Sequence, residues 1–210
     1  MAELDPFDYG YTHAGPTYGH ECLVVPAIRI LRKIVALGRE RRVFDLGCGN
    51  GFIAALLHDA GFKVSGVDPS QTGIAIANRA YPHLDLRVGS AYDDLASMFG
   101  RFPLVVSFEV IAHVSDPKHF AATVYDLLEP GGFAVISTPY HGYVKNLLVA
   151  LTGKFDEKFD PLWQNRQINF WSPRTITALL EGAGFLLPQI ERVGRIPILA
   201  RSMLAVAQRS

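Results

Sequence analysis

Short runs of Val, Phe, Ile and Leu alternate along this chain with longer stretches in which apolar residues recur every three or four positions. Five runs, Arg42–Leu46, Phe62–Val67, Leu84–Val88, Leu104–Phe108 and Phe133–Thr138, have strand length and little polar alternation. Strands of that kind are covered on both faces, as in a parallel sheet. Between them Gly51–Ala60, Ser70–Tyr81, Asp94–Phe99 and Asp116–Leu128 carry the helical period. Asn50, Ser70 and Ser115 or Asp116 stand where N-caps belong, each with a short side chain able to accept a backbone N–H. The alternation predicts a doubly wound, mostly parallel α/β sheet.

The two ends and one insert modify that plan. A helix is expected over about Glu21–Leu37. Ser172–Glu181 reads as a helix with Ser172 as cap and Pro173 at its first position, ended by Gly182 and Gly184. Phe185–Val193 and Ser202–Gln208 then follow as strands. The eight residues between them, Gly194–Arg201 with Pro197, are too few for a crossover helix, so these strands should pair antiparallel. Pro139–Trp171 is an insert between the fifth strand and the last helix. Within it Val144, Leu147, Leu148 and Leu151 fall at i, i+3, i+4 and i+7, a one-sided apolar helix. Its polar face is not rich in Lys or Arg, unlike membrane-surface helices. A lid packed on the domain is expected before an oligomer contact or a membrane contact.

The first strand ends in Val43-Phe-Asp45-Leu-Gly47-Cys-Gly49-Asn-Gly51. Glycines let backbone approach a ligand closely and adopt turns that side chains forbid. A dinucleotide loop would be G-x-G-x-x-G/A, but Phe52 holds the place of its last small residue, which argues against nicotinamide chemistry. No Gly-Lys-Ser/Thr follows, which excludes a Walker-type phosphate loop. One strand later, Asp68 in Val64-Ser-Gly-Val-Asp68-Pro69-Ser is placed to accept two hydrogen bonds from a ribose diol.

Charge and cysteine content narrow the partners. Twenty basic and twenty acidic residues balance, and no block of like charge forms the basic footprint of a nucleic-acid binder. Cys22 and Cys48 make neither a disulfide framework nor a zinc site. The N-terminus is polar where a leader needs an apolar run, and no apolar stretch of about 18 residues occurs. The expectation is a cytoplasmic domain, monomer or homodimer, acting on a small molecule without a membrane span.

These motifs resemble the class I S-adenosylmethionine (SAM) dependent methyltransferases, and the resemblance covers Val43 to Arg209. Asp45–Gly51 matches the D-x-G-x-G-x-G loop, Asp68 the ribose-binding acid, and Gly89-Ser90-Ala91-Tyr92 the adenine-side segment, with Ser90 in place of the usual Asp. Phe108-Glu109-Val-Ile-Ala112-His113 matches the family's fourth motif, and Leu127-Leu-Glu-Pro130-Gly131-Gly132 its turn before the fifth strand. The fourth strand departs from the pattern, with Phe102-Pro103 where the aromatic is usually followed by Asp. The resemblance implies a Rossmann-like, seven-stranded sheet with an antiparallel C-terminal strand, in one domain over residues 1–210. Residues 1–40 would be a cap segment and helix, and 139–171 the lid insert. It implies SAM as cofactor, S-adenosylhomocysteine (SAH) as its product, and Asp45, Gly47, Gly49, Gly51, Asp68, Pro69, Ser90, Ala91, Tyr92, Phe108 and Glu109 as cofactor-binding residues.

For a hydroxyl acceptor, proton removal contributes about 10²–10⁴-fold. Glu109 and His113 lie just past the fourth strand, at the edge where open α/β sheets place ligands, and a histidine's ordinary pKa suits a base at neutral pH. The run is similar to that of the ubiquinone-biosynthesis O-methyltransferases, which read Glu-x-x-Glu-His, and in some of these the acids and histidine bind a divalent metal. Ala112 replaces the second acid, so no metal is expected. Tyr18, His20, Tyr140, His141, Trp163 and Trp171 are candidates for the acceptor pocket. The expected activity is methyl transfer to an oxygen. Transfer to nitrogen or carbon, or a SAM-binding regulatory module, are the alternatives.

Overall fold

The computed structural model describes residues 9–16, 21–154, 167–194 and 196–210. Its elements, in chain order, are α1 (Glu21–Val35), β1 (Arg42–Leu46), α2 (Phe52–Asp59), β2 (Lys63–Asp68), α3 (Gln71–Ala80), β3 (Asp85–Val88), α4 (Leu95–Phe99), β4 (Phe102–Phe108), α5 (Pro117–Leu127) and β5 (Leu128–Pro139). They continue with α6 (Tyr143–Leu151), α7 (Pro173–Gly182), β6 (Phe185–Val193), a short 3-10 turn (Pro197–Leu199) and β7 (Ser202–Arg209). The sheet order is β3-β2-β1-β4-β5-β7-β6. β1 to β5 pair parallel, and β7 runs antiparallel to both β5 and β6. The strand order reverses between β1 and β4, which opens a crevice at their carboxyl ends.

Both faces of the sheet are covered, as the apolar runs require. Along β1, Val43 points into a core shared with Leu23, Leu31, Ile53 and Leu57, while Phe44 points into the opposite core with Phe120, Val124 and Leu127. Phe44 is fully buried, 5.1 Å from the rings of both Phe99 and Phe102. Burying such a side chain is worth about 1.5–3 kcal/mol.

Local chemistry starts several helices as expected. Ser70 Oγ accepts the Gly73 N–H at 3.0 Å, Asp116 accepts from Lys118 and His119, and Ser172 and Thr175 form a reciprocal capping box. The cap position of α2 is Gly51, in a left-handed conformation, and not Asn50, whose Oδ1 accepts the Phe52 N–H at 3.3 Å while its NH₂ group binds the N-terminal segment. β4 starts at Phe102 and includes Pro103. A register shift against β5 between Phe102 and Leu104 accommodates the proline, which has no N–H for the ladder.

The apolar stripe of the insert does not pack on the domain. Val144, Leu147, Leu148 and Leu151 are exposed on α6, and Val149 is the residue it buries. What holds α6 is Lys145, whose Nζ donates to the carbonyls of Tyr140 (2.7 Å), Ala200 (3.1 Å) and Arg201 (3.3 Å). Three charged hydrogens on carbonyl ends substitute for the expected hydrophobic seam. Among the described residues, no helix is long and apolar enough to cross a membrane.

Candidate active site

The glycine loop leaves β1 at the open edge, pinned where the N–H groups of Gly47 and Cys48 both reach the Val67 carbonyl, at 2.8 and 3.0 Å. Gly47 and Gly49 have φ of 88° and 53°. A side chain on Gly47 would run into Val110, and a Cβ on Gly49 would lie 2.5 Å from the Tyr11 hydroxyl. At Gly51 the missing side chain faces Ala77 (2.9 Å), Leu86 and Tyr81, so this glycine also serves packing between α2, α3 and β3.

Two buried carboxyl groups flank this loop. Asp68, at the end of β2, accepts from Gly49 N–H and Ser70 N–H, both at 2.9 Å, and so ties the loop to the start of α3. Asp45 is 1% exposed, and neither of its oxygens has a hydrogen-bond partner among the described residues. Burial raises the pKa of Asp45, and the charge of Asp68 raises it further; burial raises that of Asp68. A pair of carboxyls under this strain is complementary to a cation-bearing ligand. SAM carries a sulfonium and an ammonium, and a glycine cradle flanked by these two carboxyls, Asp68 at ribose height and Asp45 beside it, fits it.

The N-terminal segment forms the outer wall. Asn50, in the loop, donates to the carbonyls of His13 and Gly15, both at 2.8 Å, and Tyr81 Oη donates to Ala14 at 2.7 Å. Tyr11 is thereby laid against Gly49 and Gly73, and burial followed by the charge of Asp68 raises its pKa, so it stays a neutral donor. Tyr9 meets the His113 ring edge-on at 6.2 Å. Sequence reasoning gives Tyr9 and Tyr11 no role and reads Asn50 as a helix cap. The signal was two aromatics flanking Gly10 in an otherwise polar segment.

Beyond β4, Glu109 adopts φ 63°, rare for a side-chain-bearing residue. Ser137 holds it there: Oγ accepts the Glu109 N–H and donates to Glu109 Oε1, both at 2.9 Å. Burial pushes the Glu109 pKa up to about 7, against the lowering effects of Ser137, Ser202, Arg201 and Lys145. Glu109 thus reaches back towards β5 and β7, while His113 lies half-buried on the cleft side beside Tyr9.

The other expected positions divide. Phe108 and Pro69 line the base of the edge, buried and half-buried respectively. Ser90 and Ala91 form the turn after β3, where Ser90 N–H bonds Asp93 and the Ala91 carbonyl accepts Thr123 Oγ1. Tyr92 is turned towards the start of α5, its hydroxyl bonding Ser115 and Asp116. Tyr140 and Trp171 are buried, at 6% and 9% exposure, and so are structural rather than open walls. Arg192 and Lys145 sit over the Tyr140 ring, and Trp171 Nε1 donates to the Ile111 carbonyl. His141 is half-buried, its Nε2 2.7 Å from Gln167 Nε2. That amide also donates to the Asn169 carbonyl, so its other hydrogen goes to His141, whose Nε2 is an occupied acceptor. Tyr18, His20 and Trp163 lie outside the described residues. A groove of about 500 Å³ near His58 and His83 lies at the opposite end of β2 and β3, away from all these groups.

A doubly wound sheet with an antiparallel β7, a glycine cradle on β1 and an acid ending β2 is the arrangement of the class I SAM-dependent methyltransferase fold. Comparison with known proteins agrees: the chain belongs to the methyltransferase-domain family, which it matches over residues 25–189. It is 29% identical over 178 residues to a ubiquinone biosynthesis O-methyltransferase of Azorhizobium caulinodans, covering 82% of this chain and 66% of that protein. The chain therefore spans just under two thirds of that relative's length. Among solved structures, a SAM-dependent methyltransferase from Mesorhizobium loti shares the fold with a TM-score of 0.65 at 21% identity, over 88% of this chain and 96% of that one. The magnesium protoporphyrin IX methyltransferase of Synechocystis, solved with bound SAH, shares it with a TM-score of 0.64 at 20% identity, over 96% and 91%.

Proposed function

We propose that the chain transfers the methyl group of SAM to a hydroxyl of a small molecule, with His113 as general base. The observation that carries this reading is the position of His113. It lies on the cleft side of the β4 edge, in ring contact with Tyr9, whose neighbour Tyr11 rests on the cofactor cradle. SAM, when bound, supplies an activated methyl group that needs little further polarisation. The chain's own residues align, dehydrate and deprotonate. Gly47 and Gly49 would allow SAM's close approach, Asp68 would accept from its ribose, and Asp45 would offset its positive charge. Tyr9 and Tyr11 exclude water, which sharpens alignment of the acceptor oxygen. His113 takes the hydroxyl proton as the oxygen attacks. Glu109, bonded to Ser137, holds the strained turn that carries the His113 loop.

The test begins with a panel of phenols, catechols, carboxylates and amines incubated with SAM and scored by mass for +14 Da products. A hydroxyl acceptor is expected. His113→Ala should keep SAH affinity within about twofold and lower turnover about 10²–10⁴-fold. That loss should shrink as pH rises towards the acceptor's own pKa, because an ionised nucleophile needs no base. Normal turnover at neutral pH would remove His113 from this role.

A further inference from the structure

We propose that the return limb of the insert, Gln167–Trp171, positions the catalytic loop, with Asn169 as a positioning residue for His113. After Phe108 the chain leaves the sheet, and within the next turn His113 N–H bonds Val110 at 2.8 Å. The outward carbonyls of that turn are taken by the limb. Ile168 and Asn169 N–H both donate to the Ala112 carbonyl, at 2.8 and 2.9 Å. Asn169 Nδ2 donates to Val114 at 2.6 Å, and Trp171 Nε1 to Ile111 at 3.0 Å. The residues on both sides of His113 are therefore clamped by one strand of chain, from outside the sheet. The same limb reaches the neighbouring loop, where His141 N–H donates to the Trp171 carbonyl at 3.2 Å.

A loop carbonyl away from water must find a donor, and among the described residues the donors to Ile111, Ala112 and Val114 come from this limb. Without the limb, Ile111, Ala112 and Val114 would lose their partners and the His113 ring its register. A base misplaced by about 1 Å forfeits about 10²-fold in rate. The insert thus belongs to the catalytic machinery by holding the loop that carries His113, whatever else it covers. Ala112 is part of this arrangement: it is fully buried and its carbonyl accepts both limb N–H groups.

This inference rests on the general-base reading for its catalytic consequence, and the test separates the two. Protein labelled with ¹⁵N-histidine reports the ring of each histidine, His113 being assigned by its loss in His113→Gln. Asn169→Asp keeps the shape but loses the donor to Val114 and its longer contact with Ile111; Trp171→Phe removes the donor to Ile111 together with part of a buried ring, so a thermal melt is read beside it. Each should move the ring signals and titration midpoint of His113, leave those of the distant His58 and His83 in place, and keep SAH affinity within about twofold. Turnover on the panel acceptor should fall by about 10- to 100-fold. Unchanged His113 signals in both variants would overturn the proposal, as would equal shifts at His58 and His83, which would mark a general loosening. If His113→Ala keeps full turnover, the base reading fails while the ring signals still decide whether the limb positions the loop.

Discussion

Replacing Asp68 by Asn keeps the shape of the β2 terminus and changes what its side chain can accept. The carboxylate holds Gly49 N–H and Ser70 N–H at 2.9 Å each at the carboxyl end of β2. An amide keeps one acceptor oxygen and turns an NH₂ group towards the other N–H, leaving that backbone donor unsatisfied. An unsatisfied buried donor costs about 1–3 kcal/mol. Two effects oppose each other in the free protein, because burial raises the Asp68 pKa and the neutral amide escapes that desolvation. Net destabilisation should therefore stay at the low end, about 1 kcal/mol, or roughly 2–4 °C in melting temperature for a chain of this size. Cofactor affinity has no such compensation. Losing charge-assisted bonds to a ribose diol should cost about 1.5–3 kcal/mol, roughly 10- to 150-fold in Kd. Calorimetry with SAH, alongside a thermal melt, measures both. Unchanged affinity with a lowered melt would show that Asp68 is only a brace between the loop and α3.

Gly49→Val should abolish SAH binding in a folded protein, since its Cβ would strike the Tyr11 hydroxyl and φ 53° disfavours a branched residue; calorimetry and a melt together check it. Gly51→Ala should do the reverse, lowering the melting temperature through its contact with Ala77 at 2.9 Å and its φ of 79° while a folded fraction still binds SAH. Because the folded-state pKa values of Asp45, Asp68 and Glu109 lie above their unfolded values, the folded chain holds extra protons between about pH 4 and 7. Their contribution to stability should fall as pH rises through that window, read as a melting temperature that drops from pH 5.5 to 7.5 in unliganded protein. Binding of SAM, whose positive charge favours the ionised carboxyls, should release protons, so calorimetric enthalpy will vary with buffer ionisation; an enthalpy independent of buffer would refute the pairing.

Much of the fold was legible in the chain because it is written in short-range chemistry. The period of apolar residues places all seven strands, and eight residues between β6 and β7 leave no room for a crossover, which determines their antiparallel pairing. Phe52 and Asp68 likewise distinguish the cofactor class by spacing along one loop and one strand. What tertiary structure alone decided depends on partners far away in sequence. Gly51 and Gly49 look equivalent in the motif, yet one faces Ala77 and the other Tyr11, since successive turn residues point in different directions. The stripe on α6 has the spacing of a packed helix, but spacing says that a face is apolar, not what covers it; a lysine on three carbonyls anchors the helix instead. Tyr11 and Asn169 carry no motif at all. Their place beside Gly49 and Val114, 38 and 55 residues away, comes from the way loops from separate elements converge on one edge of the sheet.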